Sequence, residues 1–259
     1  MKKLFLALLF TPVCLTAFAE SEGALWLGAD ATKSLGTKWE VGANAGFRLA
    51  NNFRTAERWD VGVSAQFKPI KGLKLGAGYD FIRDWKDEET TAHYNKSGVY
   101  NGYNVYDAYW RSKHRLHFDV TGSWKFGRFT LSWRERYQYT RFMEAETWEQ
   151  KYRGTTNPLL DSEGYDTKKA KNRHSLRSRL ALKYNIRHCP VTPGISYEIY
   201  NDLANGFHLD KHRVRAGIDW KINKNCHLGA GYIFQHGNGD EDENGENIHV
   251  IDVGFSYSF

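Results

Sequence analysis

The sequence predicts an all-β protein, a transmembrane antiparallel β-barrel, from three observations. Apolar and polar residues alternate with period two through most of the chain, and helix periodicity is nearly absent. Connections between alternating segments are tight at one end of the segments and long at the other. Aromatic residues, 15% of the chain, gather at segment ends.

The alternation is clearest in "KWEVGANAGFRL". Trp39, Val41, Ala43, Ala45, Phe47 and Leu49 share one face, opposite Glu40, Gly42, Asn44, Gly46 and Arg48. "RWDVGVSAQFK" and "RLHFDVTGSWKF" repeat the scheme, and "HSLRSRLALKYNI" and "HRVRAGIDWKI" place arginines and lysines on the polar side. A soluble sandwich would also alternate, with its apolar faces meeting in a core. The membrane barrel is preferred because the tight connections "PIKG", "FGR" and "NKN" alternate with long ones at 86–110 and 144–172. Short turns on the periplasmic side and long extracellular loops are the asymmetry of outer-membrane barrels. Trp39, Phe67, Trp124, Phe126, Phe129, Tyr184, Trp220 and Phe259 then fall near one rim. Phe47, Trp59, Phe81, Tyr137, Tyr139 and Phe234 fall near the other.

The segments begin near residues 24, 38, 57, 73, 112, 128, 173, 194, 210, 226 and 247, eleven in all. Bacterial single-chain barrels normally have an even number. The expectation is therefore 10–12 strands, leaning to twelve: either "ALWLGADAT" is not a full wall strand, or a twelfth lies in an irregular stretch.

Residues 1–19 read as a cleaved signal peptide, and 20–259 as one barrel domain. Lys2 and Lys3 precede a short apolar run and the small-residue site Ala17-Phe18-Ala19. No later stretch approaches the roughly 20 apolar residues of a membrane helix. The formal charge of +6 is a mild excess, and on an exported protein it argues against a nucleic-acid partner. The chain stops on "VIDVGFSYSF". Phe259 with Tyr257 resembles the signal by which outer-membrane proteins reach the barrel-assembly machinery. The other expected partners are outer-membrane lipid and small solutes.

The segments "WDVGVSAQFKPIKGLKLGAGYDF", "HRLHFDVTGSWKFGRFTLSWRERYQYTRF" and "KHRVRAGIDWKINKNCHLGAGYIFQ", with the closing "IHVIDVGFSYSF", resemble the domain-of-unknown-function 2490 family. The resemblance spans nearly all of the chain after residue 19. It implies an outer-membrane barrel of a Gram-negative bacterium. The family has no established activity, so no catalytic residue is carried over.

Candidate chemistry lies first in the lumen. Parity sends Arg134, Arg136, Arg177, Arg179, Arg213 and Arg215 inward, together with Asp119, Glu198, Asp219 and Asp252. Unpaired buried charge is very costly, so the arginines need anions. Wall carboxylates could supply them and plug the lumen with salt bridges. Alternatively, the ladder could favour passage of small polar or anionic solutes, as charged rings do in selective pores.

No cofactor is expected. "GNGDEDENGEN" offers a half-motif for calcium in Asp240, Asp242 and Asn244, but Ile251 stands where the closing bidentate Glu belongs. His114, His174, His208, His212, His236 and His249 map to the extracellular rim. A lipid hydrolase or acyltransferase would need a nucleophile and an acid beside one of them, and no such triad can be placed by spacing. A non-enzymatic barrel is the expectation. Cys189 and Cys226, both in periplasmic turns of an oxidising compartment, are disulfide candidates separated by one intervening strand.

Overall fold

A computed structural model describes residues 22–204, 206–237 and 247–259. The signal peptide lies outside the described residues. The elements are all strands: β1 (Glu22–Leu35), β2 (Trp39–Ala50), β3 (Thr55–Phe67), β4 (Leu73–Lys86), β5 (Glu89–Tyr94), β6 (Tyr100–Tyr106), β7 (Tyr109–Phe126) and β8 (Phe129–Phe142). They continue as β9 (Ala145–Arg153), β10 (Leu159–Lys168), β11 (Lys171–Tyr184), β12 (Val191–Asp202), β13 (His208–Lys221), β14 (Cys226–Gly237) and β15 (Ile248–Ser258).

Eleven of these close into a barrel in the order β1-β15-β14-β13-β12-β11-β8-β7-β4-β3-β2. Each begins within three residues of an alternating segment of the sequence. The expected count of twelve is therefore corrected to eleven, and the first segment is a full wall strand of 14 residues. The expectation of a wholly antiparallel wall is corrected with it. Direction alternates around an all-antiparallel ring, so such a ring must hold an even number of strands. Here β1 pairs with β15 in parallel, from Glu22↔Ile248 to Thr32↔Ser258, and one parallel seam makes an odd ring geometrically closed. The seam is tied off at one end by Phe259 N donating to Thr32 O at 2.9 Å.

The wall is apolar outside and polar inside. Val63 is 58% exposed and Phe118 57%, both pointing outward, whereas inward-facing Lys113 is 1% exposed. Glycines make room on the inner face where a neighbouring strand sends in a charged side chain. A Cβ at Gly46 would lie 2.7 Å from an Asp60 carboxylate oxygen, and one at Gly231 would lie 2.5 Å from Asp252. Gly127 permits the two-residue β7–β8 turn, with φ +59° at the position where such hairpins favour glycine. Aromatic pairs ring both ends of the wall. Trp39–Phe67, Phe126–Phe129 and Phe129–Tyr184 stand at the tight-turn rim, and Trp59–Phe81 and Phe234–His249 stand toward the other.

The two long connections, expected as loops, are instead one four-stranded sheet in the order β10-β9-β6-β5. Pairing of β6 with β9 joins the first connection to the second, with the Tyr103 and Tyr152 rings stacked at 4.8 Å. Arg111 of β7 donates to the carbonyls of Met143 (3.0 Å) and Lys169 (2.7 Å), clamping the base of the second connection to the wall.

Candidate functional site in the barrel lumen

The register of β8 with β11 sets Arg136 opposite Arg177 and Arg134 opposite Arg179. Glu198 on β12 is in register with Arg179 on one side and Arg213 on the other. This brings the predicted ladder together around one carboxylate. Glu198 accepts from Arg134 at 2.6 Å and Arg177 at 3.0 Å, while an Arg213 nitrogen lies 3.7 Å away. Tyr200 also donates to it at 2.9 Å. Arg179, although in register, forms no ion pair among the described residues. Arg136 is bidentate to Asp119, at 2.5 and 2.9 Å, and Arg215 bonds Asp252 at 2.7 Å. Asp219 pairs with Lys183 at 2.5 Å in a more open position.

The sequence reading missed a second buried cluster. Arg58 and Lys113 both pair with Asp84, and all three are buried. A signal was available: the inward parity of β3, β4 and β7, carried two residues from Asp60 to Arg58, four from Asp80 to Asp84 and two from Arg115 to Lys113, reaches each of them. An apolar patch of Ala24, Ile233 and Val250, backed by Trp26 and Ile248, fills the lumen between β14 and β1.

These groups divide the interior. Toward the long connections lies a chamber of about 90 Å³ lined by Trp26, Arg48, Arg115, Gln138, Arg177 and Arg213 among others. It adjoins a vestibule of about 590 Å³ along Ala50, Glu57 and Arg58, and the vestibule is walled in part by the four-stranded sheet at Glu89, Thr91 and Tyr106. Toward the tight turns, a separate space of about 580 Å³ is bounded by Asp30, Lys183, Arg215, Asp219, Asp252 and small residues such as Gly229, Gly254 and Ser256.

Cys189 and Cys226 are free thiols, in the β11–β12 turn and at the start of β14, and the structure does not join them. Asp240, Asp242 and Asn244 lie outside the described residues. No cluster of three metal-ligating side chains occurs among the residues described. The rim histidines form an outward-facing belt against tyrosine: Tyr79 with His114 (2.6 Å), Tyr137 with His174 (2.8 Å), and Tyr232 with His249. The His212 and His236 rings meet, tilted at 39°, with centroids 5.1 Å apart in the same belt. The Tyr257 and Phe259 rings meet at 4.7 Å at the opposite rim.

A closed barrel with a polar, ion-paired interior and an apolar outer face is the class that this architecture defines. The chain belongs to the family described as "Protein of unknown function (DUF2490)", which matches residues 23–246. No curated protein matches it. Among solved structures, the chain is similar in fold to the translocator domain of the autotransporter NalP from Neisseria meningitidis. The TM-score is 0.53 at 12% identity, over 88% of this chain and 77% of that one.

Proposed function

We propose that the protein is an outer-membrane barrel whose lumen is closed on the long-connection side, so that it acts as a non-conducting scaffold presenting its sheet and vestibule at the cell surface. The membrane assignment is supported by the exterior. Large apolar residues cover it, and the ring-bearing positions Trp59 and Phe67 of β3 are eight residues apart. That is about 27 Å along the strand and about 20 Å in height at a tilt of ~40°, close to the ~25 Å apolar band of outer-membrane barrels. The Tyr–His belt then lies where polar-tipped rings meet headgroups. The likeness in fold to an autotransporter translocator domain supports the same location. Phe259 and Tyr257 serve in this reading as the assembly signal.

One observation carries the closure. Lumen-facing polar side chains at one level, all round the wall from Arg58 through Lys113, Gln138, Glu198 and Lys211 to Gln235, are buried. Side chains that line an open pore are wet, and these are not. The filled lumen is the plugged alternative of the sequence reading, preferred here to the anion-favouring channel. Planar-bilayer recording tests it: purified protein shown to be inserted should give no steady ionic current. Reproducible unit conductance steps that scale with inserted protein would refute the closure. The barrel carries out no chemical step in this proposal and needs no cofactor.

A further inference from the structure

Four buried side-chain nitrogens among the described residues lack a hydrogen-bond partner: Trp26 Nε1, Arg134 Nε, Gln138 Nε2 and Arg177 Nε. Three of them belong to residues lining the 90 Å³ chamber. All four are donors. Gln138 is 4% exposed, and its orientation is set because Oε1 accepts from Arg177 Nη1 at 3.4 Å, leaving the amide NH₂ to find an acceptor elsewhere. Buried donors ordinarily find partners, so their convergence on one cavity is informative.

The charges of the same wall point the same way. Arg48 makes no ion pair among the described residues; its guanidinium lies 4.0 Å over the Trp26 ring, with Arg213 4.6 Å from that ring. Arg115 donates to Thr140 Oγ1 at 3.3 Å and to no carboxylate among the described residues. Two carboxylates, Glu57 and Asp210, line the chamber against seven arginines and lysines, and Glu198, just beyond it, is already shared among Arg134, Arg177 and Arg213. The chamber therefore presents donors and positive charge with too few acceptors. A void of about 10–15 Å³ holds one water, so this chamber takes several waters or one compact tetrahedral group.

We infer that the chamber is a binding site for a compact oxyanion of the phosphate or sulfate type, held by Arg48, Arg115, Arg177 and Gln138, with Trp26 donating from its indole. Arginine suits such a ligand because its planar fork matches two oxyanion oxygens at once. The vestibule, which adjoins the chamber along Glu57 and Arg58, is the route of entry. The inference uses the enclosure of the chamber but not the membrane or the absence of current. A protein that conducts ions and still binds phosphate would overturn the closure and leave this site standing.

The test is calorimetric titration of the purified, detergent-solubilised protein with inorganic phosphate and with sulfate, against chloride at matched ionic strength. Saturable binding of one or both oxyanions, and none of chloride, is expected. Arg48→Gln and Arg115→Gln should each weaken it at least about tenfold, because each removes charge-assisted bonds to the ligand. Lys183→Gln, in the other space, should change it by less than about twofold. Arg48→Gln carries a second readout that a purely structural arginine would not give. It should raise the melting temperature in the absence of oxyanion, by relieving an uncompensated buried charge, and abolish the further rise on adding phosphate. Lack of saturable binding to the unaltered protein would overturn the inference, as would an equal response to chloride or an equal loss in Lys183→Gln. A lowered melting temperature for Arg48→Gln would do so too.

Discussion

The two halves of the lumen share the same strands and differ in what those strands send inward. Toward the tight turns, β14 offers Gly229, β15 offers Gly254 and Ser256, and a space of about 580 Å³ remains, edged by the open Lys183–Asp219 pair. Toward the long connections the same two strands offer Gln235, Ile233 and Val250, and β2 and β3 offer Arg48 and Arg58, so little room is left. Circumference is set by strand number and stagger, and is common to both halves. Side-chain size alone decides where the barrel is shut. Charge then follows volume: where side chains crowd, carboxylates such as Glu198 and Asp84 each hold two or three cations, and where they do not, pairs stay single and wet.

That contrast can be broken most forcefully at Glu198. Glu198→Ala leaves Arg134, Arg177 and Arg213 without their shared anion, and removing one partner of a buried ionic group costs about 3–5 kcal/mol. Urea unfolding in detergent should register that loss; Asp84→Asn, which strands Arg58 and Lys113, should register a similar one. An intermediate effect is expected on the outer face. Val63→Lys puts a charge at mid-wall among apolar neighbours and should cost about 2–4 kcal/mol for folding into lipid, read as a lower midpoint in vesicles. The smallest effect belongs to the wet half: Lys183→Gln breaks an exposed pair worth about 0–1 kcal/mol. Equal penalties for Glu198→Ala and Lys183→Gln would erase the distinction between the halves.

Much of this barrel was legible in its residues. Every wall strand announced itself by alternation, because one face must be apolar and the other must not, and a slip of one residue would invert the pattern. The strand count misled because parity was borrowed from all-antiparallel rings, and nothing in "ALWLGADAT" says that its neighbour runs parallel. β5, β6, β9 and β10 stayed hidden for a physical reason. The face this sheet buries carries polar side chains such as Thr147 and Glu149, so no apolar side is needed and "ETTAHY" and "YNGYNVY" carry no period. Arg134, Arg177, Arg213 and Glu198 could be placed together from parity and adjacency. Of the Arg58–Asp84–Lys113 cluster, Arg58 heads the window "RWDVGVSAQFK", but Asp84 and Lys113 lay beyond the windows over which alternation was read. The orphaned donors of the chamber depend on side-chain conformation, which no linear pattern reports.

In the proposed arrangement one wall meets three environments: lipid outside, water in the tight-turn half, and packed side chains in the other. Single cysteines at Val63, Ser256 and Gln235, introduced after replacing Cys189 and Cys226 and reconstituted in vesicles carrying brominated lipid, sample the three directly. A water-soluble thiol reagent should label Ser256→Cys readily and leave Gln235→Cys and Val63→Cys unreacted, with a fluorophore quenched by brominated lipid only at Val63→Cys. Fast labelling of Gln235→Cys would show a lumen open to water throughout. Fast labelling of Val63→Cys without lipid quenching would place the apolar face outside the bilayer and contradict the account at its base.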